Sequence, residues 1–112
     1  MPQMRILLSA IVALTIGLFA PQIAMADGAG VFSANCAACH AGGGNVVNPE
    51  RTLQQADLKS FLANYNSDHE GAIVAQVTNG AGPMPSFKDV LTPSEIIEVA
   101  GYVESMSSKG WG

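Results

Sequence analysis

Cys36-Ala37-Ala38-Cys39-His40 reads C-x-x-C-H, and this stretch decides the fold. The pattern is the attachment motif of a c-type haem. Two thiols are spaced to form thioethers with the haem vinyl groups, and an imidazole follows at once where it can bind the iron. These are the only two cysteines in the chain. A bare C-x-x-C would fit a redox disulfide or half a metal site equally well. A zinc site usually needs four protein ligands at characteristic spacing. Here there are two Cys and two His, and His69 follows His40 by 29 positions. A thioredoxin-like site needs a βαβ setting, and the sequence shows no alternating strand pattern.

Working outward, residues 1–26 read as a cleaved secretory signal, leaving 27–112 as one domain. Arg5 supplies one positive charge, and Ile6–Ala20 is apolar apart from Ser9, Thr15 and Gly17. Pro21 ends the run, and Ala24-Met25-Ala26 has the A-x-A form of a cleavage site. The apolar run is short for the ~20 residues of a spanning helix, so no membrane insertion is expected after cleavage. Losing Arg5 takes the formal charge from −4 to −5. Such an acidic domain is a poor nucleic-acid binder and suits transient docking on a basic partner surface. So small a domain has little core of its own. A covalent, mostly apolar porphyrin would fill the interior.

Four helical segments are expected, an all-α fold. The first spans about 28–40 and ends at Gly42-Gly43-Gly44-Asn45. The second spans about 53–65, with Thr52 and Gln55 at capping-box spacing. A turn at 64–67 precedes the third, about 68–78, where Ser67 and Glu70 repeat that spacing. Asn79-Gly80 stops it. The fourth begins at Thr92-Pro93-Ser94-Glu95, a cap, a proline at the first helical position and an acid at the third. Ile96, Val99, Ala100, Val103 and Met106 then recur at helical steps.

A haem carrier that excludes oxygen chemistry needs a second axial ligand, far along the chain from His40. Met84 is the candidate. It lies between Pro83 and Pro85 in a glycine-rich loop, where a core filler has no place and rigid backbone would hold the thioether at one point. Thioether ligation favours the ferrous state. Two rivals have simpler readings: Met106 as core on the fourth helix, and His69 as a surface residue at the start of the third.

The chain resembles a class I cytochrome c, and more narrowly the cytochrome c6 family of photosynthetic electron carriers. The likeness covers Asp27–Trp111. It rests on residues 31–40 around the haem motif, Gly42-Gly43, Gln76-Val77-Thr78-Asn79-Gly80, Met84-Pro85-Ser86-Phe87, Val99-Ala100-Gly101-Tyr102-Val103 and Gly110-Trp111. The resemblance implies about four helices wrapped around one covalent haem, with Gly28 and Phe32 meeting Tyr102 where first and last helices cross. It implies thioethers at Cys36 and Cys39, His40 and Met84 as the axial iron ligands, and Gln76 near the haem, either tuning its potential or packing. It further implies a soluble, monomeric one-electron carrier, not an enzyme, running from the cytochrome bf complex to photosystem I in the thylakoid lumen. Two departures lie near the expected docking surface. Lys88-Asp89-Val90 puts Val90 where the family usually has a basic residue, and Ala81-Gly82-Pro83 replaces the usual Lys-Asn-Ala.

Three other functions fit parts of the pattern. A periplasmic cytochrome donating to a terminal oxidase shares all of the chemistry. A haem enzyme or sensor needs an open distal position, against which the Pro-Met-Pro loop argues. A non-haem redox or metal module would have to fold without haem.

Overall fold

In the computed structural model, which describes residues 27–112, the all-α expectation holds. Among the described residues there are five α-helices, one 3₁₀ turn and no strand: α1 (Gly28–Asn35), α2 (Ala37–His40), the turn Ala41–Gly43, α3 (Gln55–Phe61), α4 (His69–Asn79) and α5 (Pro93–Ser108). The expected signal segment lies outside the described residues.

The long C-terminal helix organises the rest. Thr92 starts α5 as the sequence indicates: its hydroxyl accepts from the Glu95 amide at 3.1 Å, and the Glu95 carboxylate accepts from the Thr92 amide at 2.9 Å. Ile96, Val99, Ala100 and Val103 are buried along one face, against which α1 and α4 pack. Met106 is only half-buried. At the α1–α5 crossing, a Cβ added to Gly28 would lie 2.4 Å from the Glu98 carbonyl oxygen and 3.0 Å from Tyr102 Cβ. The Phe32 ring sits 5.3 Å from both Tyr102 and Trp111, tilted at 44° and 40°, so three aromatics close this end of the core.

Four local readings are corrected. The first segment breaks at Cys36, whose φ/ψ of −118°/−31° interrupts the helix although its amide still bonds the Phe32 carbonyl. The second is shorter than expected. Leu62 turns to extended backbone and Asn64 takes a φ of +66°, which ends the helix before Tyr65. Thr52 and Gln55 form no capping box, because Asp57 takes both Thr52 donors, the amide at 3.0 Å and the hydroxyl at 2.6 Å. The third segment, α4, is capped by Asp68, whose carboxylate accepts from the Gly71 amide at 3.0 Å. Ser67 instead donates to the Asn64 carbonyl.

Candidate functional site

A cavity of about 310 Å³ opens between the C-x-x-C-H segment and the Pro83-Met84-Pro85 loop. Cys36, Cys39, His40, Gln76 and Met84 all line it. The structure therefore gathers every candidate site residue read from the sequence around one space. It leaves both rivals outside. His69 is bound to Glu104 at 2.8 Å and stacked on Tyr65, with ring centroids 4.1 Å apart. Met106 takes no part in the lining.

The geometry around His40 starts with glycine. Gly42 and Gly43 have φ of +64° and +80°, so the chain reverses directly after α2. Gly43 also lies flat on the Trp111 indole: an added Cβ would fall 2.4 Å from the ring. The indole N–H in turn donates to the Leu53 carbonyl at 2.9 Å, and the Leu53 amide to the Gly43 carbonyl at 2.8 Å. The reversal brings the Gly44 carbonyl to 2.8 Å from His40 Nδ1. A carbonyl oxygen only accepts, so Nδ1 is the donor, and in the neutral ring this tautomer puts the lone pair on Nε2. Metal-binding imidazoles are commonly fixed in this way.

The two cysteines are not joined to each other in a disulfide. Cys39 is exposed and Cys36 half-buried, and burial pushes the Cys36 thiol above its ordinary pKa. Met84 is half-buried, and the Gln76 amide nitrogen lies 3.9 Å from its sulfur. Phe61, Leu62, Phe87, Pro83 and Pro85 make much of the wall apolar. These features fit a haem: an apolar slot, two thiols and an imidazole on one wall, and a thioether in a proline-flanked loop. Among the described residues, no three or more His, Cys, Asp or Glu side chains come together as a metal site of their own.

A family model described as cytochrome c oxidase, cbb3-type, subunit III matches residues 23–103. Cytochrome c6 from Limnospira maxima is 48% identical over 87 residues, spanning 78% of this chain and 98% of that one. Cytochrome c6 from Microcystis aeruginosa is 51% identical over 85 residues, 76% of this chain and 100% of that one. The chain belongs to the cytochrome c6 family. The solved structure of cytochrome c6 from the diatom Phaeodactylum tricornutum superposes with a TM-score of 0.72 at 45% identity, covering 77% of this chain and all of that one. Cytochrome c6 membership implies covalently bound haem c. It also makes the protein a haem electron carrier and not an enzyme, with the small class I cytochrome c fold expected from the sequence.

Some of the site was not singled out from the sequence. Arg51 lines the cavity with its guanidinium carbon 4.6 Å from the centre of the Phe61 ring. Asn35 and Asp57 line it too. A single charge in a loop carries no spacing signal, and Gly44 acts through its backbone oxygen, which every residue possesses. The exposed apolar residues Val47 and Phe61 line the cavity.

Proposed function

We propose that residues 27–112 form a soluble, monomeric carrier of single electrons, with one haem c held by thioethers at Cys36 and Cys39 and ligated by His40 and Met84. In this reading it moves electrons from the cytochrome bf complex to photosystem I in the thylakoid lumen, after export and cleavage behind Ala26. The observation that carries the proposal is the meeting of these four side chains on one cavity. Bound iron supplies the one-electron couple. The chain's part is to hold it. The Gly44 carbonyl fixes the His40 tautomer and ring, the Pro-flanked loop positions the thioether, and the apolar wall keeps water away. Gln76, beside the Met84 sulfur, is placed to tune the potential through its amide dipole.

Among the described residues no helix is long and apolar enough to cross a membrane, in keeping with a mobile carrier. The exposed Val47 and Phe61, both lining the cavity, offer an apolar contact there, suited to brief docking. Val90, at the position usually basic in this family, is also exposed.

The test is flash-induced reduction of photosystem I by the reduced holoprotein. A second-order rate that depends on salt is expected. No reduction, with fast turnover by a terminal oxidase, would overturn the photosynthetic assignment. That second reading draws support from the oxidase-subunit family model over residues 23–103.

A further inference from the structure

The last carbonyls of a helix need partners from outside it, and in α4 the loop that carries Met84 supplies them. The Gly80 amide donates to the Gln76 carbonyl at 2.8 Å, and the Phe87 amide to the Val77 carbonyl at 3.0 Å. The Ser86 hydroxyl donates to the Thr78 carbonyl at 2.5 Å. Between these anchors, Ala81 and Met84 exchange two backbone bonds of 3.0 and 2.9 Å. Gly80, at φ +70°, lets the turn fold tightly onto itself: an added Cβ would lie 2.6 Å from the Met84 carbonyl oxygen. Pro83 and Pro85 have no amide proton to offer.

The ties on either side of Met84 therefore differ in kind. The backbone bonds are available to almost any sequence. The Ser86 bond is available only to a side chain that carries a donor, and it sits two residues from the sulfur-bearing side chain. Ser86 carries the only side-chain oxygen or nitrogen of residues 80–87, and the other polar side-chain contact of this loop with α4 is that of the Met84 sulfur itself, 3.9 Å from the Gln76 amide nitrogen. In the M-P-x-F pattern the third position reads as free; in this structure it closes the loop on the helix.

We propose that Ser86 is a positioning residue for Met84: its bond to the end of α4 latches the loop shut and sets how readily the thioether leaves the iron. The inference rests on Met84 as the axial ligand. Opening the loop must break the Ser86–Thr78 bond, so the latch biases the equilibrium between a Met84-bound state and one open to an external ligand. Ser86 is exposed, so water competes for its hydroxyl, and the bias is worth one net hydrogen bond, about fivefold in that equilibrium.

The experiment titrates imidazole into the oxidised holoprotein at neutral pH, well below the melting temperature, reading the sulfur-to-iron absorption band. It compares wild type, Ser86→Ala and Ser86→Thr. All three should show the band without imidazole. Ser86→Ala should bind imidazole about fivefold more tightly and lose its band at a lower pH on alkaline titration. Ser86→Thr, which keeps the hydroxyl, should return close to wild type. A merely structural role would lower the melting temperature of Ser86→Ala and leave imidazole affinity unchanged. Wild-type affinity in Ser86→Ala overturns the latch while the band stands. A wild type with no band overturns the Met84 reading, and the latch with it.

Discussion

Gly28→Ala probes the crossing on which the fold rests. The new Cβ would fall 2.4 Å from the Glu98 carbonyl oxygen, about 1 Å short of a close C···O contact of ~3.3–3.6 Å. The oxygen belongs to the backbone of α5 and cannot rotate away, so α1 must back off. That movement also loosens Phe32 from Tyr102, now 5.3 Å apart. Overpacking of this kind costs about 1–3 kcal/mol. The helical gain of alanine over glycine, about 0.5–1 kcal/mol in a helix interior, is smaller at the first residue of α1. A net loss of about 1–2 kcal/mol follows, or roughly 5–15 °C in a domain this size. Gly30→Ala is the control, on the same helix, where the nearest atom to the new Cβ is a flexible Asp27 oxygen at 3.2 Å. Thermal melts of the two holoproteins should therefore diverge, Gly30→Ala staying near wild type. Wild-type melting of Gly28→Ala, or an equal loss in Gly30→Ala, would refute the close-approach argument.

Three further outcomes can be checked by unfolding. Tyr65 is buried and donates to the Glu104 carboxylate at 2.6 Å; burial first, then that bond, raises its pKa. The folded state thus holds a proton that the unfolded chain releases near pH 10, so this stability is present below about pH 10 and lost above it. In denaturant titrations between pH 8 and 11, Tyr65→Phe should flatten that alkaline decline. Asp57 is shifted the other way, chiefly by the Thr52 hydroxyl and then the Thr52 amide. Its contribution is present above the ordinary aspartate range near pH 4 and lost as pH falls through it, so Asp57→Asn should give a shallower acid-unfolding curve by circular dichroism. Gly43→Ala should melt lower by at least about 10 °C, since it meets the Trp111 ring at 2.4 Å with φ at +80°, adding an overpacking cost of about 1–3 kcal/mol to left-handed strain of about 1–2 kcal/mol.

The parts of the structure legible in the sequence are those fixed by near neighbours. Thr92 and Glu95 lie three residues apart and satisfy each other, so the start of α5 is where the pattern puts it. The spacing of Cys36, Cys39 and His40 carries chemistry in itself, and a methionine between two prolines has few other uses. What escaped depends on distant partners or competing ones. Thr52 and Gln55 have capping-box spacing, yet Asp57 offers Thr52 a better acceptor. Helix α3 stops short of Tyr65, whose hydroxyl reaches Glu104, 39 positions away. No breaker residue announces the bend at Cys36. Ser86 and the Gly44 carbonyl gain their roles only when loop and helix end are brought together.

The central claim is that one haem is held by the C-x-x-C-H segment and closed on its far side by Met84. Visible spectra in both redox states, on protein from a host with haem-attachment machinery, test it most directly beside Met84→Ala. The account expects a sharp reduced c-type spectrum and an oxidised sulfur-to-iron band that Met84→Ala abolishes. A high-spin spectrum in the wild type, or a band indifferent to Met84, would contradict it.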